Sequence, residues 1–480
     1  MSVPENISDL KLLVRTLFDK ILKLESINSQ LGNENLTLKE EIAVLRGEIA
    51  EIKAMLKSDS HNSSKPPSSD GLRKKPAFPR NTNGKKGGQK NHIGKTLKMV
   101  ENPDSTKVCK KEECTCGCDL TQEPITIVAR RQEFDIPEPR LIVTEYQLAQ
   151  NVCPQCGQVH KGEFPENINA PAQYGHRAKA LAVLLNNDFK VPFKKIQILF
   201  DDLYGYPINR STIATSNRTC YEKLEKIEKI IQDNLISSPV IHNDESGVRC
   251  HQKLHWLHVA STDLFTYLFI HAKRGKEAIE SEKSILNRFF GWSVHDCWSS
   301  YFNLTHLKHA ICGAHLLREL QAEIENYSKW AKVFKSFLLR IYHTPIQERI
   351  DKRTEIEQEF DVIMSQAEME EPIPKKTGKK GKLKRTKGRN LFERLQLRKN
   401  AVLAFAFNSE VPFTNNQAER DVRPVKVKQK VSGCFRTISG AEHYARIAGY
   451  VSTVRKHQLN VFTELCNVFN GHSFLSIQTS

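Results

Sequence analysis

An unbroken seven-residue repeat near the amino terminus constrains the fold of this chain more than any other feature. Leu or Ile recurs at every seventh position from residue 10 to residue 52, and a second set follows four residues later. These are the d and a positions of a coiled coil, so residues 1–57 are predicted to form a parallel leucine zipper that makes a homodimer or higher oligomer. A long amphipathic helix packed on its own domain is the alternative. The d positions are Leu10, Leu17, Leu24, Leu31, Leu38, Leu45 and Ile52, and the a positions are Val14, Ile21, Asn28, Asn35, Ile42, Ile49 and Leu56.

The chain also carries a large positive charge, with 72 Lys and Arg against 55 Asp and Glu and a net charge of +17. Such an excess suits a polyanion, and double-stranded DNA is the predicted partner, with a basic protein that binds no nucleic acid as the alternative. Two segments concentrate this charge. Residues 58–104, rich in Ser, Pro, Gly and Lys, are predicted to be a mobile linker, and residues 375–389 a basic loop.

Six of the 12 cysteines lie between residues 109 and 156. No signal peptide or membrane-spanning run is visible, so a cytoplasmic protein without membrane contact is expected, and clustered cysteines then indicate metal ligands rather than disulfides. Residues 105–165 are predicted to bind Zn²⁺, with strands over residues 126–137 and 140–150 joining two Cys groups. The predicted ligands are Cys114, Cys116, Cys153 and Cys156, and the neighbours that leave the first pair open are Cys109 and Cys118.

Residues 166–235 are predicted to be helical, with a turn at Gly205 and a following helix capped by Ser211. This spacing is typical of a helix-turn-helix, which would place the segment from Arg210 to Arg218 in a groove of DNA. Many helix pairs with this spacing bind nothing, and that alternative stays open.

From residue 236 onward, short apolar runs alternate with helical patterns. Three strands, a helix at residues 276–289, a fourth strand and a short strand leading into a helix are predicted over residues 236–350. This order is α/β and matches the early part of a ribonuclease-H-like fold. A helical insertion with the basic loop is predicted over residues 351–398. The second part of the same domain, followed by a helical region with a basic face, is predicted over residues 399–480. The predicted fold class is therefore multidomain, with an N-terminal parallel coiled coil, a zinc-ribbon-like β domain, a helical helix-turn-helix region and an α/β ribonuclease-H-like domain that carries a helical and basic insertion.

Three carboxylates occupy positions from which they can converge in such a fold. Asp244 ends the first predicted strand, Asp296 ends the fourth, and Glu419 lies on a late predicted helix. Mg²⁺ or Mn²⁺ takes oxygen ligands, and two such ions about 3.5–4 Å apart promote phosphodiester displacement. Because the chain has 55 acidic residues, order alone does not establish a site.

Several longer stretches give the chain a resemblance to a known family. After the zipper come HNSSKPPSSD, GKKGGQKNHIGKTL, VIHNDES, GWSVHDCWSSY, CGAHLLREL and FTNNQAERDVRPVKVKQKVSGCFRT. In this order they are similar to the large DDE transposase of the insertion sequence 66 family, whose zinc-binding domain the Cys region also resembles. The resemblance covers nearly the whole chain and implies that Asp244, Asp296 and Glu419 are the metal-binding catalytic set. It further implies DNA contacts by Asn415, Asn416, Arg420 and Arg423.

The chain departs from the family pattern at two positions. Thr414 stands where the family usually has an acid, and Glu113 stands where a Cys is expected, which leaves the choice of zinc ligands open. Cys312 and His315 match a C-x-x-H motif of the family. For this pair a structural role in the core is favoured over metal binding.

The expected activity is cleavage at the ends of an insertion sequence and joining of the freed 3′-hydroxyl to target DNA. The zinc and helix-turn-helix regions would recognise those ends, and small accessory proteins of the same element are further candidate partners. A non-catalytic zipper and zinc DNA-binding protein is one alternative, and a nuclease of the same fold that never joins is another. Glu245 and Asp421, next to the catalytic set, are expected to be dispensable.

Overall fold

The computed structural model describes residues 11–32, 34, 38, 96–373 and 385–477. The chain divides into two compact units, one formed by Met1–Lys74 with Asn217–Ser480 and the other by Lys75–Ser216. Residues 11–32 form helix α1, in which the heptad residues Leu17, Leu24 and Leu31 are exposed in the single chain. Most of the other predicted heptads, most of the linker and most of the basic loop lie outside the described residues.

The unit Lys75–Ser216 contains a cysteine-bearing region with one short ladder. Strands β1 (Gln150–Val152) and β2 (Val159–Lys161) pair antiparallel on either side of the turn that holds Cys153 and Cys156. The strands predicted over residues 126–137 and 140–150 do not form, apart from residue 150. Their apolar side chains gain no covering face, with Val128 93% and Ile142 88% exposed. A β-prone sequence becomes a strand only where neighbours pair with it and bury one side.

Three helices follow in the chain: α2 (His176–Asn187), α3 (Phe193–Tyr204) and α4 (Arg210–Lys223). Gly205 ends α3 in the left-handed conformation, with φ of 67°, as the turn prediction required. The predicted cap at Ser211 is wrong, because α4 begins at Arg210. Instead the Asn209 side chain accepts the Ser211 backbone N–H at 3.1 Å. The buried residues between these elements are Ala182, Ile196, Phe200, Ile208 and Ile213.

A five-stranded mixed sheet lies at the centre of the other unit, after helix α5 (Glu225–Ile236). Its strand order is β5-β4-β3-β6-β7. Strands β3, β4 and β5 are antiparallel neighbours, β6 runs parallel to β3, and β7 runs parallel to β6. The first and fourth predicted strands, β3 and β6, are therefore neighbours. The bounds are Val240–Cys250 for β3, Lys253–Ser261 for β4, Thr266–His271 for β5, Trp292–His295 for β6 and Lys308–Ile311 for β7.

Helices pack on this sheet through two apolar clusters. One cluster joins β6 and β7 to α7, α8 and α10–α13, and the other joins β3, β4 and β5 to α14 and α15. The short helix α9 packs against α10 and α13. The bounds are Gly313–Glu325 for α7, Lys329–His343 for α8, Ile346–Asp351 for α9, Arg353–Glu370 for α10, Lys387–Leu397 for α11, Lys399–Val402 for α12 and Ala404–Phe407 for α13. The later helices are Asn416–Ser432 (α14), Ile438–Lys456 (α15), Val461–Phe469 (α16) and Phe474–Ile477 (α17).

The helix predicted over residues 276–289 is mostly absent. Only Lys276–Ile279 (α6) is α-helical, followed by a 3-10 turn at Leu286–Arg288. The Ser281 hydroxyl donates to the Ala278 carbonyl oxygen, and the Ser284 hydroxyl accepts the Leu286 backbone N–H. These serines take backbone partners that a continuous helix would need. The predicted basic loop likewise ends early, because α11 begins at Lys387. Among the described residues, no helix combines the length and apolarity needed to cross a bilayer.

Candidate functional site

Asp244 and Asp296 lie on neighbouring strands at the same level. Asp244 is in the middle of β3, and Asp296 directly follows β6. The parallel ladder pairs His242 with Val294. Two residues further along the same register, Asp244 stands level with Asp296, so strand pairing alone brings two predicted ligands together.

Glu419 approaches the same part of the sheet from the first turn of α14. Buried Asn415, just before this helix, fixes its start. The Asn415 side-chain amide donates to the Asn243 carbonyl oxygen at 2.7 Å, and its Oδ1 accepts from His242 Nδ1 at 2.9 Å. Its backbone N–H donates to the Cys312 sulfur at 3.1 Å. One residue thus ties α14 to β3 and to the start of α7.

Four carboxylates interact electrostatically at this place. Burial raises the pKa of Asp244 well above its ordinary value, and the charges of Glu245, Asp296 and Glu419 raise it further. Among the described residues, the oxygens of the three predicted ligands do not all come within 4.8 Å of one another. Two cations about 3.5–4 Å apart need a wider set of ligands than one cation does, so this spacing is compatible with two ions.

Arg274 lies beside these carboxylates and was missed by sequence reasoning. Its guanidinium is 5.1 Å from the ring centre of Trp256 and 4.2 Å from that of Trp298, so two cation–π contacts restrain it. Its Nε donates to Glu245 Oε1 at 2.7 Å, and its Nη2 is 3.9 Å from Asp296 Oδ2. No local pattern distinguishes Arg274 among 72 Lys and Arg residues.

Glu245 and Asp421, which are expected from the sequence to be dispensable for activity, each have several hydrogen-bond partners. The Glu245 side chain is 1% exposed and accepts the Tyr301 hydroxyl at 2.6 Å as well as Arg274. Asp421 accepts the Lys456 ammonium at 2.8 Å and the Ser452 hydroxyl at 3.0 Å. Both carboxylates belong to buried networks, so substitutions there change more than surface charge.

Glu419 has further close neighbours at the start of α7. His315 Nδ1 is 3.8 Å from Glu419 Oε1, and Arg318 Nη2 is 3.4 Å from the same oxygen. One donor atom each from Cys312, His315 and Glu419 lie within 4.8 Å of one another; this group is called the α7 cluster below. The structural role expected for Cys312 agrees with its hydrogen bond from Asn415.

The predicted zinc ligands lie in two similar turns. In each turn a glycine with positive φ donates its backbone N–H to the carbonyl oxygen of the first cysteine. Hydrogen bonds from Cys116, chiefly from its backbone N–H, lower the pKa of the Cys114 thiol, and those from Cys156 lower the pKa of the Cys153 thiol. A thiol that ionises more readily is a better metal ligand. In the described chain, three ligand atoms converge within 4.8 Å only at the α7 cluster, so no three of the thiols in the two turns lie that close to one another.

The predicted DNA contacts fall on two helices. Arg210 and Arg218 are exposed on α4, where Arg218 lies 3.8 Å from Glu222. Asn416, Arg420 and Arg423 are exposed on α14. The prediction that the neighbouring Asn415 faces DNA is wrong, because that residue is 1% exposed and its side chain bonds to β3. Its role is to position α14.

The mixed sheet offers clustered oxygen donors, and a separate region offers paired thiols. Three family models match this chain: the Transposase IS66 family over residues 171–443, the zinc-finger binding domain of transposase IS66 over residues 111–157, and a family of unknown function (DUF6444) over residues 14–98. No curated protein matches it. Because the first model covers more than half of the sequence, the chain belongs to the Transposase IS66 family. It is a DNA-binding transposase with a zinc-finger domain, as the motifs predicted.

Proposed function

We propose that this transposase cuts DNA at the ends of its element and joins the freed 3′-hydroxyl to target DNA by a DDE mechanism, with Asp244, Asp296 and Glu419 as the metal ligands. One observation carries the proposal. Two of these carboxylates stand level on neighbouring parallel strands, and the third approaches from the first turn of α14. We assign the sheet to the ribonuclease-H-like class, which the order of three antiparallel strands and two parallel ones supports.

The donor set suits Mg²⁺ or Mn²⁺, because these ions take carboxylate oxygens as ligands. The repulsion that raises the pKa of Asp244 also favours cation binding, since a bound cation would relieve it. When bound, two such ions activate the attacking oxygen and stabilise the leaving oxygen in an in-line phosphodiester displacement.

The protein's own residues would orient this reaction. Asn415 sets the position of α14 and therefore the distance of Glu419 from the two aspartates. Arg274 is 38% exposed and restrained by two tryptophans, so it is placed to bind a phosphate oxygen beside Asp296. Arg318 offsets the charge of Glu419 from the other side.

We assign DNA binding to the exposed arginines of α4 and α14 together with the basic segments. Arg210 and Arg218 would contact the element ends, and Arg420 and Arg423 would hold DNA next to Glu419. Contacts of this kind release counterions, so binding is expected to weaken steeply as salt rises. A slope near zero in a plot of log affinity against log salt would contradict this assignment.

We assign one Zn²⁺ per chain to Cys114, Cys116, Cys153 and Cys156. The lowered pKa of the first thiol in each pair supports this choice, and thiolate sulfurs are ligands that tetrahedral Zn²⁺ prefers. Elemental analysis of the purified chain should find about one zinc, and Cys153→Ser with Cys156→Ser should remove it. Retention of zinc by that variant would disprove the assignment.

The catalytic proposal is tested with purified protein, element-end DNA and Mg²⁺. Asp244→Asn, Asp296→Asn and Glu419→Gln remove charge at nearly constant volume, and each should reduce cleavage and joining by roughly 100-fold or more. Asp263→Asn, in the exposed turn after β4, is the matched control and should keep wild-type rates. Gel-shift affinity should be retained in all four variants.

Three outcomes would change the conclusion. An Asp296→Asn protein that cuts at the wild-type rate removes that residue from the ligand set. A wild-type protein that cuts but never joins is a nuclease of this fold. A wild-type protein that binds element ends and cuts nothing with Mg²⁺ or Mn²⁺ is a non-catalytic DNA-binding protein.

A further inference from the structure

His315 presents a buried nitrogen that lacks a hydrogen bond. None of the described residues provides a partner within hydrogen-bond distance of its Nδ1. A buried polar atom without a hydrogen-bond partner destabilises the fold, so such an atom calls for an explanation. The nearest charged oxygen is Glu419 Oε1 at 3.8 Å, which is too far for a hydrogen bond.

The position of His315 relative to Glu419 is fixed by the backbone. The Gly313 N–H donates to the Phe413 carbonyl oxygen at 2.7 Å, and a Cβ at Gly313 would lie 2.3 Å from the Phe413 ring. Only glycine allows this close approach. The start of α7 therefore packs directly on the segment that leads into α14. This packing places His315 Nδ1 of α7 close to Glu419 Oε1 of α14.

The three members of the α7 cluster are not equivalent. The Cys312 sulfur already accepts the Asn415 backbone N–H, so it helps to hold the start of α14. Arg318 lies 3.4 Å from Glu419 Oε1 and supplies a counter-charge without being able to bind a cation. Within the α7 cluster, His315 Nδ1 is therefore the atom that has no hydrogen-bond partner among the described residues and can also coordinate a metal ion.

We propose that His315 Nδ1 is a nitrogen ligand of the metal ion held by Glu419. This inference rests on the proposed function, because Glu419 is taken as a metal carboxylate. Metal–nitrogen and metal–oxygen bonds are about 2.0–2.2 Å long, so a 3.8 Å separation of Nδ1 and Oε1 can be spanned by one cation.

With His315 as a ligand, the two sides of the proposed catalytic site would offer different kinds of ligand atom. Asp244 and Asp296 offer oxygen alone, whereas Glu419 and His315 offer oxygen and nitrogen. Imidazole favours transition-metal ions over Mg²⁺, so the Glu419 side of the site is expected to bind Mn²⁺ more tightly than Mg²⁺.

The test is pulsed electron paramagnetic resonance on the full-length, tag-free chain with Mn²⁺ alone. Bound Mn²⁺ should show a ¹⁴N coupling typical of imidazole, which ¹⁵N-labelled histidine converts to a ¹⁵N coupling without any substitution. His315→Ala should abolish the coupling and weaken Mn²⁺ binding by about tenfold or more, since even outer-shell changes cost about 10–100-fold. His343→Ala, an exposed histidine at the end of α8, should retain both.

Failure of the inference is distinguishable from failure of the proposed function. Mn²⁺ that binds through the carboxylates but shows no imidazole coupling, or keeps it in His315→Ala, overturns the histidine ligand alone. Mn²⁺ binding that is unaffected by Asp244→Asn with Glu419→Gln overturns the carboxylate site as well. Coupling that disappears in His315→Ala and persists in His343→Ala establishes the ligand.

Discussion

Glu245 follows Asp244 directly in the chain, yet the two carboxylates have different partners. Arg274 and Tyr301 donate to the two oxygens of Glu245, whereas Asp244 Oδ1 accepts the Glu245 backbone N–H. Since Arg274 also lies 3.9 Å from Asp296, Glu245 restrains the arginine next to the proposed metal ligands. Its function would be to position Arg274.

Replacing Glu245 by Gln keeps its shape and removes its charge. We expect Glu245→Gln to lower the free energy of unfolding by about 1–3 kcal/mol, because a buried network loses its charged acceptor. The metal concentration for half-maximal cleavage should rise, because Arg274 is then free to pair with Asp296. Urea unfolding measures the free energy of unfolding, and a metal titration measures the metal concentration for half-maximal cleavage. Glu442→Gln breaks a more exposed pair with Lys283 and should cost less than about 1 kcal/mol; equal losses in the two variants would contradict the prediction.

Glu323 on α7 gives a pH-dependent contribution to stability. Burial, with the neighbouring charge of Glu371, raises the pKa of Glu323 from 4.5 to about 7. Between these values the folded chain keeps a proton that the unfolded chain releases, so stability falls as pH rises, by about 3 kcal/mol in all.

Glu323→Gln should remove this dependence. The variant should match the wild type near pH 4.5 and unfold at higher urea concentration near pH 8. Glu325→Gln, an exposed change on the same helix, should leave the wild-type pH profile intact. Urea unfolding at several pH values is the measurement, and identical profiles for wild type and Glu323→Gln would refute the assignment.

At the scale of elements, the start of α14 depends on one of two adjacent asparagines. Asn415 is buried and bonds to β3, whereas Asn416 is exposed. Asn415→Ala should destabilise the chain by about 2–4 kcal/mol, because it leaves buried partners unpaired, and should reduce cleavage while DNA affinity is kept. Asn416→Ala should change stability by less than about 0.5 kcal/mol. Comparable thermal unfolding of the two variants would contradict the different roles.

Sequence patterns predicted the helices and strands whose conformation depends mainly on residues close together in the chain. The strands that carry Asp244 and Asp296 were predicted from the short runs PVIHNDES and GWSVHDCW, and these two strands are neighbours in the sheet. The two predictions that failed did so for different reasons. Residues 126–149 have strand-forming residues but no pairing partner in the described chain, and residues 276–289 have a helical pattern that Ser281 and Ser284 interrupt.

The candidate site likewise contains residues that sequence motifs identify and residues that only the folded structure identifies. Its proposed ligands could be predicted because the family motifs carry them, but Arg274, Tyr301 and the true role of Asn415 could not. Their partners lie between 29 and 173 positions away in the chain. A single sequence contains no information that pairs residues over such distances.

At the scale of the whole molecule, assembly is predicted to depend on α1. Leu17 and Leu24 are exposed along this helix and occupy d positions, so a second copy of the chain would bury them. Leu17→Lys with Leu24→Lys should convert the predicted dimer to a monomer in sedimentation equilibrium. Asp19→Lys with Ser26→Lys adds the same side chains at f positions and should leave the mass unchanged. A wild-type chain that sediments as a monomer would exclude the zipper.

The long-range bonds of Asn415 have a consequence for how the protein is made. They join groups 172 and 173 positions apart, and contacts across so large a loop form late because closing the loop costs entropy first. A ribosome that has already synthesised β3 to β7 and α7 to α13 has not yet produced Glu419. Under the proposed mechanism, a nascent chain, or one truncated before α14, lacks one of the three metal ligands and cannot cut DNA. The activity therefore appears only after α14 has been synthesised and has docked on β3.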